Sequence, residues 1–425
     1  MRKNEGAKNK IMKKALWNQV QFTFFAACIG GVIGVFIWAF LKVMGIGQDF
    51  LFVDLPKSIN LPYLTLITCV AGGLLIGVYE KIFHASPEEL ETVMAAIKRD
   101  GSYSCDRLGI RAVGAILPLI FGASIGPEAG LTGIIAGLCF WAGERFRYVG
   151  KHLSELSQIG MGAVLGVIFK SPLFGFMMPI EDGEMAGELA RRDKMLAYVA
   201  SILGGFGAYS LLSHLFGGGM GIVRLEGNGI GSRERIFAVV LIAVGILAGI
   251  LYTIFLQGAQ KLFVFLNKKA GVIFCTVLGG LCIGLFGTYV PYSMFSGEAQ
   301  MEELAQRYME YAPVMLLLIG MAKLLITNIS IQSGFKGGNF FPVIFAGVSI
   351  GYGAGLICSV SPVFAAAAVT AALLGFLMKK PVAVVLLLML CFPAEGIVWM
   401  LLAAEAGSCV QAFLDSTSLF KRSNK

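Results

Sequence analysis

One carboxylate interrupts a long apolar stretch of the chain. Glu128 lies in the segment 122–130, between runs of uncharged hydrophobic residues. Pro127 suits the first turn of a helix, so we expect a new helix to begin here, with free N–H groups that attract anions. Glu128 could complement only the dipole of that helix. In a membrane span, however, an ionisable group costs several kcal/mol and usually serves a function, which we favour.

A second segment, 333–342, could bind an anion through its backbone N–H groups. Gly337 and Gly338 let bare backbone approach a ligand, and their successive N–H groups predict an anion nest at the start of a helix through 343–357. Lys336 would add positive potential there. A flexible loop is the plainer interpretation, but aromatic residues, a proline and an apolar run that follow at once are not typical of loops.

A third segment, 170–184, combines a helix start with acids. Ser171 and Pro172 are predicted as its N-cap and first helical residue. Three acidic residues follow about two turns on: Glu181, Asp182 and Glu184. They could form a proton-accepting group near a cytoplasmic mouth. Equally, they could form a hydrated cluster paired with the arginines that follow.

The composition sets the class of protein that carries these segments. Hydrophobic residues make up 57% and charged residues 14% of the 425 residues, whereas soluble chains carry about 25% charged residues. Apolar runs recur from residue 19 to residue 413, which predicts an all-α polytopic membrane domain over 18–415. Several runs are short or broken by Gly or Pro, which indicates tilted and broken helices.

An internal echo suggests two related halves. Residues 166–173 and 375–382 both contain Gly, three apolar residues, Lys, one polar residue, Pro and an apolar residue. Each stretch follows a Gly-rich segment at a similar distance. This pattern is expected of two inverted structural repeats, which we place at about 18–217 and 235–415.

The net charge of +8 does not indicate nucleic-acid binding, because the basic residues lie in short clusters between apolar runs. Six of the first fourteen residues are Lys or Arg, and the tail 416–425 is also basic. The positive-inside rule therefore predicts cytoplasmic segments 1–17 and 416–425 on a multi-pass inner (plasma) membrane protein. The first apolar run, 20–43, is too long for a signal peptide.

Neither an enzyme nor a cofactor is indicated. The nine Cys residues are scattered singly in apolar stretches, so they are expected to be small buried hydrophobes and not metal or disulfide sites. The three His residues do not cluster, and no nucleophile elbow or phosphate-binding loop is present.

The order of these segments resembles the CLC family of chloride channels and proton/chloride antiporters. The family's gating motif, Gly-(Lys/Arg)-Glu-Gly-Pro, resembles residues 126–130, and its Gly-Gly-x-Phe-x-Pro motif matches 337–342. Its Pro-Leu-x-Gly helix that ends in acids resembles 172–182, and 296–299 resembles a loop before its later helices. The resemblance covers roughly residues 18–415.

The resemblance implies a homodimer in the bilayer, with one pore per subunit, that handles small inorganic anions and protons. Glu128 would be the gate that exchanges protons with the outside, and Asp182 would occupy the inner proton position. The backbone N–H groups of Asn339 and Phe340 would coordinate the central anion, chloride or another. The glycines that precede the two helices, Gly126 and Gly338, are assigned to the same anion site.

The sequence also departs from the family. Pro127 replaces the basic residue before the gate, and Gly130 stands where Pro is usual. Asp182 replaces a Glu, so Glu181 or Glu184 could serve instead.

The family's pore serine and tyrosine have no clear counterparts. Its Gly-Ser-Gly-Ile-Pro loop is reduced to residues 83–87, which leaves either His84 or Ser86 at the anion-contacting serine position. Ser86 could instead cap its own helix. The late pore tyrosine has no match, and the nearby Phe420 lacks a hydroxyl.

Three functions are therefore weighed. The first is proton-coupled anion antiport, with chloride as the expected anion, gated by Glu128. The runner-up is a passive voltage- or pH-gated chloride channel without proton coupling. Asp182 in place of the family's glutamate is the reason to retain this hypothesis. The third is a membrane sensor or scaffold that conducts no flux.

Overall fold

The protein is described by a computed structural model that covers residues 2–59, 61–84, 87, 92–93, 107–145, 153–181, 191–218, 224–227 and 229–417. Within these ranges the chain forms helices and no strand. Its extended pairing there is one isolated antiparallel bridge, between Gly126 and Gly338. The prediction of an all-α fold is confirmed.

Fifteen α-helices lie in the described ranges. They are α1 Arg2–Asp49, α2 Leu55–Ser58, α3 Leu64–Phe83, α4 Leu108–Ile120, α5 Glu128–Arg145, α6 Leu153–Ile168, α7 Pro172–Glu181, α8 Arg191–Phe216, α9 Ser232–Tyr289, α10 Glu298–Arg307, α11 Pro313–Ser333, α12 Phe340–Cys358, α13 Pro362–Met378, α14 Pro381–Leu388 and α15 Ile397–Ser416. A π-helical turn, Phe50–Asp54, joins α1 to α2, and 3₁₀ turns occur at Pro291–Ser293, Tyr308–Glu310 and Ala394–Gly396.

Several helices are long and apolar enough to cross a membrane. Seven such helices occur in the described residues. Four shorter apolar helices, of 10–17 residues, accompany them. They fall short of the ~20 residues that a perpendicular span needs. Short apolar helices that stop at Gly or Pro breaks confirm the prediction of broken helices.

Helix α9 contains a break of its own. Its 58 residues would extend about 85 Å at 1.5 Å per residue, nearly three times the hydrocarbon thickness. Gly271 interrupts the helical backbone with φ 81° and ψ 173°, a conformation that glycine adopts without steric cost. The stretch is therefore two helices that meet at Gly271.

The described residues group into two compact units. One draws on Met1–Phe40, Val93–Asp106 and Ile134–Gly219. Its core packs Phe22 and Ala26 of α1 against Ile159 of α6 and Ala197 and Tyr198 of α8. The bounds of the two predicted inverted halves stay a prediction.

The second unit draws on Leu41–Thr92, Arg107–Gly133 and Met220–Lys425. Helix α12 is its central element, because the side chains from Phe341 to Gly355 are all buried. Helices α11 and α13 pack against α12. Helix α9 instead exposes large apolar side chains along its length, as expected of a surface that faces lipid. The start of α12 thus lies inside the protein.

Candidate functional site

Two breaks in the helical structure meet in the second unit. The Gly126 N–H donates to the Gly338 carbonyl, and the Gly338 N–H donates to the Gly126 carbonyl, both at 2.8 Å. These residues precede the starts of α5 and α12. The structure therefore brings together the two segments that the sequence singled out, and it brings two helix N-termini to one place.

The start of α5 differs by one residue from the expectation. The helix begins at Glu128, and the Pro127 carbonyl accepts a hydrogen bond from the Leu131 N–H at 3.0 Å. Pro127 is therefore the residue before the first helical one, and Glu128 takes the first helical position. This places the carboxylate directly at the break.

The Glu128 carboxylate serves a helix other than its own. Its side chain is 1% exposed, and Oε1 accepts a hydrogen bond from the Phe340 N–H at 2.9 Å. The backbone N–H groups of Phe341 and of Glu128 itself also interact with the carboxylate. A role limited to the dipole of α5 does not account for these contacts, because Phe340 and Phe341 form the first turn of α12. The carboxylate thus occupies the anion-attracting end of α12.

Bare backbone makes room for this carboxylate. A Cβ atom added at Gly338 would overlap Cδ and Oε1 of Glu128, and one added at Gly126 would overlap Oε2. The reciprocal bonds between the two glycines occupy their N–H groups. A side chain at either glycine would therefore displace the carboxylate, and the assignment of Gly126 and Gly338 to anion binding stays a prediction.

The two oxygens of the Glu128 carboxylate differ. Oε2 is buried and finds no hydrogen-bond donor among the residues that the structure describes, whereas Oε1 is bonded to Phe340. A buried charged oxygen without a donor is costly, and a proton on it would remove the charge. Oε2 is therefore the oxygen whose protonation would break no hydrogen bond to a described residue.

Helix α11 holds the segment before Glu128. The Ser124 hydroxyl pairs with the Thr327 hydroxyl at 3.0 Å, and the Ser124 N–H donates to Ser330 Oγ at 3.3 Å. Thr327 and Ser330 lie on one face of α11, three residues apart. Sequence reasoning missed both, because hydroxyl residues are common in membrane helices and carry no signal of their partner.

Lys323 lies on the same face of α11 and is fully buried. Its Nζ donates to the carbonyls of Met294 at 2.5 Å and Phe295 at 2.8 Å, and it lies 5.2 Å from the centre of the Phe345 ring. Sequence reasoning missed this residue as well. The signal was available, since Lys323 is the one charged residue in Pro313–Ser333.

Asn339 makes a contact that the sequence did not suggest. Its Nδ2 donates to the hydroxyl of Tyr252 on α9 at 2.8 Å. Tyr252 is 4% exposed and lies 87 residues away in sequence. Nothing in the apolar surroundings of Tyr252 distinguishes it from an ordinary core tyrosine.

The third segment follows the prediction where it is described. Pro172 begins α7, and Ser171 Oγ accepts a hydrogen bond from the Phe174 N–H at 3.2 Å, which confirms the N-cap. Glu181 is the last residue of α7 and is half-buried. The other two acids of this segment, Asp182 and Glu184, lie outside the described residues.

Some of the remaining predicted site residues are described by the structure, and others are not. Ser86 also lies outside the described residues. His84 is described and ends α3 in a left-handed conformation, with φ 48°. Lys336 is exposed.

The fold is all-helical, and two broken helices begin beside the same buried carboxylate. In membrane proteins, such breaks line the transport path of channels and transporters, and the chain is therefore placed in this class. The profile of the voltage-gated chloride channel family matches residues 70–412. The chain belongs to this family, the CLC family, as its motifs predicted. The family transports anions across membranes and consists of channels and transporters, not enzymes.

Curated relatives and solved structures agree with this assignment. The voltage-gated ClC-type chloride channel ClcB of Escherichia coli O81 (strain ED1a) is 24% identical over 345 residues, which cover 76% of this chain and 78% of the relative. The ClcB of Citrobacter koseri is 25% identical over 68% of each chain.

Among solved structures, a slow cyanobacterial Cl⁻/H⁺ antiporter has a TM-score of 0.78 and 21% identity, over 94% of this chain and 96% of its own. A CLC-type fluoride/proton antiporter has a TM-score of 0.73 and 17% identity, over 92% and 95%. These likenesses confirm a CLC-type fold for a multi-pass membrane protein.

Proposed function

We propose that the protein is a secondary active antiporter that exchanges chloride for protons, with Glu128 as the gate. The observation that carries this proposal is the 2.9 Å hydrogen bond from the Phe340 N–H to Glu128 Oε1. It places a carboxylate on the donors that a small anion would use. The solved structures of similar fold that are named as Cl⁻/H⁺ and F⁻/H⁺ antiporters support the same reading.

Proton and anion movements are coupled because the Glu128 carboxylate and the anion compete for the backbone N–H groups in the first turn of α12. The charged Glu128 carboxylate holds the Phe340 and Phe341 N–H groups, and an anion needs those same donors. A proton taken up on Oε2 removes the charge and weakens this hold. The neutral side chain then yields the donors to an anion, so proton uptake and anion entry become steps of one cycle.

The inner part of the path follows from the family resemblance. Asp182, or its neighbours Glu181 and Glu184, would pass protons between the gate and the cytoplasm. Ser86, or His84 in its place, would contact the anion on the inner side. Asp182→Asn is expected to slow proton movement more than chloride movement, and Glu181→Gln and Glu184→Gln are the matched comparisons that identify which acid is used.

The second candidate is a passive chloride channel. The curated relatives carry a channel name, and Asp182 is one methylene shorter than the glutamate usual in the family's inner position. In this case Glu128 opens and closes the path, but no proton crosses with the anion. A membrane sensor without flux is the third outcome that an experiment must separate.

Purified protein in sealed vesicles separates the three functions. A chloride gradient is imposed across the membrane, with no proton gradient, and the internal pH and chloride are recorded together. An antiporter moves protons uphill, driven by chloride. A channel moves chloride alone, and a sensor shows no chloride flux above that of protein-free vesicles. Either of the last two results overturns the proposal.

Variants test the part of Glu128. Glu128→Gln removes the site for a proton, so chloride-driven proton movement should disappear and chloride flux should lose its pH dependence. Glu128→Ala also frees the Phe340 N–H, so chloride flux should continue without coupling. Glu303→Gln neutralises an exposed carboxylate on α10 and should couple like the wild type. Flux in Glu128→Ala that stays as pH-dependent as wild type would falsify the gate.

We also propose a membrane location, an oligomeric state and an orientation for the protein. We place the protein in the inner membrane as a homodimer with both termini in the cytoplasm, on the basis of the positive-inside rule and the family resemblance. A reporter that is active only in the cytoplasm, fused to either terminus, checks the orientation, and cross-linking in the membrane checks the dimer. Fluxes of chloride, bromide, nitrate and fluoride, compared in one preparation, rank the anions.

A further inference from the structure

Helix α12 begins with an asparagine that does not cap it. Asn339 occupies the N-cap position, where an asparagine side chain usually accepts a hydrogen bond from the second or third N–H of the helix. Within the described residues its side chain makes no such bond. Its amide instead points to α9, where Nδ2 donates to the Tyr252 hydroxyl at 2.8 Å.

The first turn of α12 has few donors to share. Pro342 stands at the third helical position and has no N–H. The Val343 N–H is taken by the Asn339 carbonyl at 3.1 Å. The Phe340 and Phe341 N–H groups remain, and both interact with the Glu128 carboxylate.

A capping Asn339 would therefore compete with the gate and the anion. The second helical N–H belongs to Phe341, so an amide oxygen in the usual capping geometry would take one of the two helical donors that the carboxylate holds. The bond to Tyr252 holds the amide away from this position, and the backbone of Asn339 is helical, with φ −116° and ψ −7°, and not extended as in a capping residue. The Tyr252 hydroxyl thereby leaves the N-terminus of α12 accessible, so that the Glu128 carboxylate and an anion can replace each other there.

We infer that Tyr252 is a positioning residue for anion exchange, which holds the Asn339 amide off the first turn of α12. The role rests on the proposed function, because it concerns the same donors. It predicts a competition effect: without the hydroxyl, the amide caps α12 and raises the chloride concentration needed for transport. Saturating chloride displaces the amide, so the maximal rate is retained.

The test is a double-mutant cycle read as the chloride dependence of transport in vesicles. Tyr252→Phe should raise the KM for chloride about fivefold, the worth of a typical N-cap, and leave the maximal rate per folded protein within twofold. In the Asn339→Leu background no amide is left to compete. Adding Tyr252→Phe to that background should therefore change the KM by less than twofold.

Tyr352→Phe is the matched control. Tyr352 is also buried, on α12 itself, but it stacks on Tyr308 at 4.5 Å and lies away from the helix start. The control should not change the KM. A merely structural role for the Tyr252 hydroxyl would lower the yield of folded protein and the maximal rate in both backgrounds.

The outcomes separate the two proposals. A KM that rises equally with and without the Asn339 amide, or that does not rise at all, overturns the role of Tyr252 while wild-type transport stands. Wild-type vesicles that carry no chloride flux overturn the proposed function and this role together. Chloride flux without proton coupling overturns the antiport alone, because the competition concerns the anion and not the proton.

Discussion

Glu128 and Lys323 are both ionisable and buried in the second unit, and their surroundings differ. Lys323 has its ammonium between two carbonyls and beside an aromatic ring. Glu128 has one bonded oxygen and one that finds no donor among the described residues. Both charges are costly in an apolar interior, but the lysine nitrogen has fixed partners on two sides, whereas one oxygen of Glu128 is left without a partner in the part of the chain that the structure describes.

The difference indicates what each group does. A charge enclosed by fixed partners holds elements together, and Lys323 joins α11 to the segment that contains Met294 and Phe295. That segment reaches the gate region, since the Phe295 N–H donates to the Gly122 carbonyl at 3.3 Å. A half-satisfied charge can change partner at little cost. The pair therefore contrasts a charge with fixed partners and one that exchanges its partners in the proposed transport cycle.

The largest loss of stability is expected from Lys323→Met. Two buried carbonyls lose their donor, which should lower the free energy of unfolding by about 2–4 kcal/mol after the gain from removing a buried charge. Denaturant titration in mixed micelles measures this. Lys269→Met is the control, since that ammonium lies over Phe265 at an exposed site, where a cation–π contact contributes about 0.5–1 kcal/mol. If the two variants lost the same free energy of unfolding, the structural role inferred for Lys323 would be wrong.

A smaller loss is expected from Gly338→Ala. The new Cβ overlaps the Glu128 carboxylate, and overpacking of this kind typically costs about 1–3 kcal/mol. The displaced carboxylate should also weaken the pH dependence of chloride flux. Gly258→Ala is the control, because a Cβ there meets open space and alanine favours the helix. If Gly338→Ala matches this control in stability and flux, the close approach of backbone to the gate is not required.

The sequence predicted these two glycines for a physical reason. Glycine and proline next to a polar residue in an apolar run mark a helix break, and a break in a membrane protein must be covered by other protein groups. The meeting of the segments at 126 and 338 was therefore within reach. The start of α5 was missed by one residue, because proline fits the positions on either side of a helix boundary nearly equally.

Partners across long sequence separations were not predictable. The Tyr252 hydroxyl reaches Asn339 from another helix, and the Ser124 hydroxyl reaches Thr327 across 203 residues. Such pairs depend on the packing of whole helices, which local patterns do not encode. Lys323 is a different case, because the cost of a lone charge in an apolar span already marked it, and only its carbonyl partners needed the structure.

The hydroxyl pair near the gate should contribute less than either site above. Ser124→Ala and Thr327→Val should each lower the free energy of unfolding by about 0.5–1.5 kcal/mol. The double variant should lose less than the sum of the two, because its second substitution removes a group that has already lost its partner. Additive losses would show that the two hydroxyls act independently, so that α11 does not hold the 122–126 segment through this bond.

The smallest effect on stability is expected at Glu128, the proposed gate. In Glu128→Gln the amide oxygen can still accept from the Phe340 N–H, and the amide nitrogen takes the position of Oε2, so that one polar atom without a described partner replaces another. The loss of a charge-assisted bond is offset by the removal of a buried charge. The free energy of unfolding should therefore change by less than about 1 kcal/mol. A loss as large as that of Lys323→Met would mean that the Glu128 carboxylate is also a structural charge, and a carboxylate fixed in that way could not leave α12 to admit an anion.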